Sequence, residues 1–448
     1  MRPRLIITVI LAVVFFTVGP ALVLWTAGYR WNQRALRLEA TGVLIIDSEP
    51  KGALISIGET RLAERTPARI AGLLPREYTL TVSSPGYKSW RQTIEIEGGK
   101  TTFVEQIRIF PERLPELVAS GEITSLVSSP DQKTLAFNAV KDGESGIFTV
   151  DAQRETPVLI EKTASSSLRS LEWAPSGIAL LLTQKTAQGF KSEIISAGAK
   201  TELPLTGELA NIAWSQDDPT RLLAQTQSGP LLTTWLLHSS GAAPWQFATS
   251  TEKTAALGRT AIVANNLIYS LEREATSTAI YSSIVGSRDK TLLTKLPGSP
   301  YYFLNAKYDY LVLQNPLTSK IITVNAGSRR IETKISGTSV LWSPAGRPAL
   351  AVWDNHELNI FTADKNATAV TRLGENIRAV NWLPQGNELL LLTDTALLAI
   401  ERESSGNNRV TTELVALADG KTLAVANGYV YFVATLGSKT GLYRLALK

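Results

Sequence analysis

A repeat in the chain after residue 112 constrains the fold more than any other feature. Leu171-Glu172-Trp173-Ala174-Pro175-Ser176-Gly177 returns as Val340-Leu341-Trp342-Ser343-Pro344-Ala345-Gly346 and as Val380-Asn381-Trp382-Leu383-Pro384-Gln385-Gly386. An apolar run follows each: Ile178–Leu182, Ala349–Val352 and Leu389–Leu392. Weaker copies centre on Trp214 and on Ser129-Pro130-Asp131. Trp173 and Trp214 are 41 positions apart, and Trp342 and Trp382 are 40 apart. Three further units lack the tryptophan but keep paired apolar runs, at 260–269, 301–313 and 422–433. The units number eight, and each is too short to bury its own apolar face, so neighbours must stack.

A unit of four short strands at this period is a propeller blade. Eight blades are favoured, with seven as the alternative. The tryptophan is read as ending the innermost strand and packing between blades, with Pro and Gly turning the chain into the next strand. Trp173, Pro175, Gly177, Trp214, Trp342, Pro344, Gly346, Trp382, Pro384 and Gly386 are therefore structural repeat residues. The last unit shows three strands, and an open edge invites pairing. Leu114–Ala119 is the candidate for the missing outer strand. The Trp-x-Pro-x-Gly turn resembles the Trp-Ser-Pro-Asp-Gly repeats of TolB-like and WD40-like β-propellers.

Residues 41–112 read as a separate module of short alternating strands with Pro/Gly turns, a small β-sandwich. Its markers are Glu49-Pro50-Lys51-Gly52-Ala53, the Thr66-Pro67 bend, Leu74-Pro75 leading to Tyr78, and Gly86-Tyr87 followed by Trp90. This pattern resembles the PEGA domain, with Arg76 where the family's turn carries glycine. The signature residues are Glu49, Pro50, Gly52, Ala53, Thr66, Pro67, Tyr78, Gly86 and Tyr87. The resemblance implies an extracytoplasmic β-sandwich of prokaryotic envelope proteins, generally without catalysis. Tyr78, Tyr87 and Trp90 are read as packing residues, a sugar platform being the alternative.

Leu5 to Trp25 is uncharged over 21 residues, about 31 Å of helix against a hydrocarbon layer of about 30 Å. The expectation is a transmembrane anchor over 1–29, then a linker over 30–40, the sandwich over 41–112 and the propeller over 113–448. A cleaved signal peptide is the alternative. The N-terminus is expected in the cytoplasm and the β modules outside it, at the cell membrane. The net charge of +5 is concentrated early: residues 1–40 hold five arginines against one glutamate. The 336 residues after 112 hold 31 basic and 30 acidic side chains, which argues against nucleic acid as a partner.

Zero cysteine excludes disulfides, thiolate metal sites and cysteine nucleophiles. His238 and His356 are the only histidines, so a multi-histidine metal site is excluded. Ser250-Thr251-Glu252-Lys253 and Lys439-Thr440-Gly441 match two motifs of penicillin-recognising enzymes, but no Ser-Asp-Asn accompanies them and the first lies in a polar turn. No Gly-x-Ser-x-Gly elbow occurs, and nothing resembles the cofactor anchor of pyrroloquinoline-dependent propellers. Asp217-Asp218, Asp354 and Asp364 are read as turn caps. No catalytic, metal or cofactor-binding residue is assigned. The expected function is a non-catalytic, membrane-anchored envelope protein that binds a protein or an envelope polymer. The alternatives are an envelope hydrolase or lyase, which needs three or more charged side chains meeting in the propeller funnel, and a surface-layer component.

Overall fold

The computed structural model describes residues 3–33, 36–141, 143–151, 156–164, 167–187, 189–205, 208–216, 218–251, 259–298, 300–345, 347–364, 366–403 and 409–448. The chain divides into two compact units, Met1–Glu112 with Ile400–Thr412, and Arg113–Ala399 with Glu413–Lys448.

The first unit opens with one helix, Pro3–Thr26, with Pro20 inside it. The transmembrane expectation does not hold: among the described residues, no helix is long and apolar enough to cross a membrane. The stretch read as a linker carries an antiparallel hairpin, Tyr29–Asn32 paired with Arg37–Ala40.

The same unit then forms two sheets. Gly42–Glu49 lies between Ala68–Leu73 and Thr101–Arg108, antiparallel to the first and parallel to the second. Thr60–Arg65, Leu54–Ile57, Arg76–Ser83 and Trp90–Ile96 make the other sheet in that order. Strict alternation along Gly42–Glu49 and Trp90–Ile96 turns Leu44, Ile46, Trp90, Ile94 and Ile96 inward, where they meet Ile55, Leu80 and Val82. The outer segment Ile400–Thr412 belongs here too: Val410 packs on this core and Glu401 accepts the Trp90 indole N–H at 2.6 Å.

Among its described residues the second unit is all β, with eight four-stranded sheets. Blade 1 starts at Leu126–Ser128, blade 2 at Leu168–Trp173, blade 3 at Glu208–Trp214 and blade 4 at Ala261–Ala264. Blade 5 starts at Tyr302–Lys307, blade 6 at Ser339–Trp342, blade 7 at Ile377–Trp382 and blade 8 at Ala418–Ala426. Within each blade successive strands pair as neighbours. First strands lie against one another between blades 1 and 2, 4 and 5, 6 and 7, 7 and 8, and 8 and 1, which marks them as the converging inner edges. Second strands are buried almost throughout, as in Glu388–Thr393 and Ala349–Trp353. Blade 8 has only three strands from the C-terminus, and Glu116–Ser120 supplies the fourth by pairing with Lys439–Ala446. Closure thus joins the two ends of the unit and leaves no blade with an unpaired outer strand.

Candidate functional site

The repeat residues hold blades together. The Trp173 indole donates to the Val127 carbonyl of blade 1 at 3.3 Å. That of Trp214 donates to the Glu172 carbonyl of blade 2 at 3.4 Å, and that of Trp382 to the Leu341 carbonyl of blade 6 at 3.0 Å. In each case the indole reaches back to the inner strand of the preceding blade. Trp342 is also buried, but its Nε1 finds no acceptor; its ring packs on Tyr308 and Tyr310 instead. Pro175, Pro344 and Pro384 follow these tryptophans in the turn. Gly177 and Gly386 adopt φ of +73° and +75°, left-handed values that suit glycine. A Cβ at Gly386 would come 2.6 Å from the Ala345 carbonyl of the preceding blade's turn. Gly346 and Asp217 lie outside the described residues.

In the sandwich unit the signature residues form one local network. Thr66 is buried; its hydroxyl meets Ser48 Oγ at 2.7 Å and accepts the Ala53 N–H at 3.0 Å. The Gly52 N–H donates to the Thr66 carbonyl, and Ser48 Oγ donates to the Pro50 carbonyl. Both the Glu49-Pro50 and Thr66-Pro67 bonds are cis. Tyr78 donates its hydroxyl to the Leu74 carbonyl, and the Arg76 guanidinium lies over its ring. Gly86, at φ +77°, accepts the Glu112 N–H beside the bridge from Tyr87 to Pro111. Tyr78, Tyr87 and Trp90 all engage the sandwich core or its turns.

The other singled-out residues do not assemble. His238 sits at a strand end with Nδ1 2.7 Å from Ser240 Oγ, and His356 sits in a turn with Nδ1 3.2 Å from the Glu375 carbonyl. Asp354 caps the His356 and Glu357 N–H groups, and Asp218 caps Thr220. Asp364 pairs with Arg347 at 3.5 Å. Ser250 ends a strand, Glu252 and Lys253 lie outside the described residues, and Lys439 opens the strand that closes the ring. No group of three or more potential metal ligands occurs among the described residues.

Sequence reasoning did not find the polar cluster on the inner edges of blades 2, 3 and 4. Arg259, just before blade 4, points its Nε at Asn211 Oδ1 of blade 3 at 3.3 Å and its Nη2 at Glu172 Oε2 of blade 2 at 3.9 Å. Asn211 follows the bulge at Leu209 in its strand, which re-aims the side chain. The Arg259 backbone is fixed by a bridge to blade 5, the Phe303 N–H donating to its carbonyl. Desolvation raises the Glu172 carboxyl above the ordinary range, opposed by Arg259 and by the Trp214 backbone N–H. Beside Arg259 is a narrow crevice between blades 3 and 4, ≈ 10 Å³, with room for about one water. Arg169, on the same blade as Glu172, donates to the Leu209 and Ala210 carbonyls and stacks on Phe190. Two charged side chains thus meet on this inner surface. No spacing signal links Glu172, Asn211 and Arg259, because each comes from a different blade.

Residues 41–108 match the PEGA domain family. No curated protein sequence matches the chain. Among solved structures, the chain is similar to the C-terminal WD40 domain of Sif2, with TM-score 0.50 and 14% identity over 74% of this chain and 99% of that one. It is similar to the Dos1 propeller, with TM-score 0.50 and 12% identity over 73% and 94%. It also matches the β-propeller domain of the trilobed protease from Pyrococcus furiosus, with TM-score 0.43 and 10% identity over 68% and 98%. At these identities the likeness is one of fold: a PEGA domain is followed by a WD40-like β-propeller.

Proposed function

We propose that this is a non-catalytic, extracytoplasmic binding protein of the cell envelope, whose propeller holds a protein partner on its inner-edge surface. One observation carries the reading. The repeated residues pack blade against blade, whereas the inner-edge positions of blades 2–4 follow no repeat and bring Glu172, Asn211 and Arg259 together. A rigid ring with non-repeating display positions suits recognition, since recognition costs less when the site is already ordered. WD40 propellers as a class support a binding role, and the PEGA match supports a place outside the cytoplasm.

The test is photo-crosslinking in the native cell. A benzoylphenylalanine at Ser170 or Glu208, both exposed on inner strands, is expected to give discrete protein adducts. The same probe at Lys334, exposed on an outer strand, is expected to give none. Equal adducts from all three positions, or none from any, would remove the reading. So would release of soluble fragments from envelope polymer by the purified chain. Resistance of the whole chain to protease added to intact cells would remove the location.

A further inference from the structure

We infer that Ile400–Thr412 is a strap that opens and closes with the sandwich rather than with the blade it leaves, so that loosening of the sandwich is passed to blade 7. This holds whatever the ring binds.

The strap belongs to one fold by sequence and to another by contact. It connects Ala396–Glu401 to Thr411–Ala416, the last two strands of blade 7. Its described residues, 400–403 and 409–412, group with the sandwich. A connection between neighbouring antiparallel strands commonly takes about two to five residues. Here it takes residues 402–410, and both of its ends meet the sandwich: Val410 packs on the sandwich core, and Glu401 faces Trp90. The two limbs are also tied to each other. The Glu401 N–H donates to the Val410 carbonyl at 3.2 Å, and the Val410 N–H donates to Glu401 Oε2 at 3.3 Å. Arg409 Nε donates to the Arg402 carbonyl at 3.1 Å.

A row of paired residues carries the sandwich core to this point. Ile55 stands opposite Val82, and Val82 opposite Trp90, on neighbouring strands of one sheet. All three are buried. Trp90–Ile96 is the last strand of that sheet, where the row would end. It is continued by Trp90 Nε1, which donates to Glu401 Oε1 at 2.6 Å, and by Val410 on the same core. Glu401 thus gives one oxygen to the sandwich and the other to its own strap. Burial raises its carboxyl above the ordinary range, opposed by the Trp90 bond, the Val410 N–H and the Arg409 charge. A half-buried carboxyl that loses one of its donors is left poorly solvated, so the closed strap is unfavourable unless Trp90 is in place. Displacing the edge strand removes that donor. The fastening therefore fails when the sandwich opens and holds when the ring opens elsewhere.

The test is hydrogen exchange on the whole chain, read by mass spectrometry with fragments resolved at Glu401 and Val410, whose amides are both bonded within the strap. Ile55→Val is expected to speed exchange at these two amides and across 90–96 by one shared factor, about threefold to tenfold. Ile268→Val, in the buried second strand of blade 4, is expected to speed its own blade and to leave the strap at the wild-type rate. Trp90→Phe is expected to speed the strap amides by about tenfold or more, and in that background Ile55→Val should no longer change them. Strap amides unmoved by Ile55→Val would overturn the proposal. So would strap amides that respond as strongly to Ile268→Val, or that ignore Trp90→Phe. If Trp90→Phe does not fold, the comparison of Ile55→Val with Ile268→Val decides by itself.

Discussion

Trp382 and Trp342 stand at the same place in the repeat, yet only one of them uses its indole N–H. Trp382→Phe removes a bond to the Leu341 carbonyl from a fully buried position and leaves a void, at a cost of about 2–4 kcal/mol. Trp342→Phe leaves a similar void but removes a donor with no acceptor, so the cost is about 1–2 kcal/mol. Denaturant unfolding of the two variants is expected to rank them in that order, and equal midpoints would contradict the blade-to-blade role of the indole. Gly386 and Gly177 make a parallel pair. Both have positive φ, but a Cβ at Gly177 meets nothing closer than 3.5 Å, whereas at Gly386 it meets the Ala345 carbonyl at 2.6 Å. Gly177→Ala is expected to cost about 1 kcal/mol from backbone strain alone, and Gly386→Ala at least about twice that. Glu172 gives a pH signature. Its carboxyl is raised in the folded state, first by desolvation, so the folded protein binds this proton more tightly than the unfolded chain. Its contribution therefore favours folding at low pH and is lost as pH rises from the unfolded value of 4.5 through the folded one. Across that window the thermal midpoint of the wild type is expected to fall more steeply than that of Glu172→Gln. Parallel slopes would show that the carboxylate is solvated after all.

Turns explain why some blades were plain in the sequence and others faint. Blades 2, 6 and 7 use the Trp-x-Pro-x-Gly turn, whose residue types announce themselves. Blades 4, 5 and 8 join their first two strands by two-residue turns, Asn265-Asn266, Tyr308-Asp309 and Asn427-Gly428, with positive φ at both positions. Those are the values a type I′ hairpin needs, and they leave no room for Pro. The Asn-Gly pair was readable, but Tyr308-Asp309 was not, because its left-handed backbone is held by Tyr308 packing on Trp342 and by Asp309 accepting from Asn265. The ring-closing strand was legible from the missing fourth strand of the last unit. The N-terminal helix misled: its charge-free stretch resembles a bilayer span by composition, yet among the described residues no helix is long and apolar enough to cross a membrane. Lys439-Thr440-Gly441, set aside as chemistry in the sequence, has a geometric role. A Cβ at Gly441 would lie 2.3 Å from the Ala119 carbonyl, where Glu116–Ser120 bulges across it. Gly441→Ala is expected to loosen that strand first. Hydrogen exchange should accelerate at 116–120 and 441–444 well before it does in blades 3 to 5. Uniform acceleration round the ring would mean that closure is no weaker than any other hinge.

At the scale of the whole molecule, charge decides what can approach the ring. The 336 residues after 112 carry 31 basic and 30 acidic side chains, so the ring has almost no net field to steer a polyanion. Several of its cations are paired with acidic neighbours, as Lys295 is with Glu274 and Arg378 with Asp394. Attraction at the ring is then local, and not the counterion release that drives binding to a charged lattice. The two cases differ in how they respond to salt. A polyanion that covers several lysines and arginines loses affinity with a log–log slope of about −0.9 for each phosphate neutralised. A ring without such a surface should not retain a short DNA duplex at physiological ionic strength. Retention of the duplex, with a slope several times that value, would mean that an extended basic surface does the recognising.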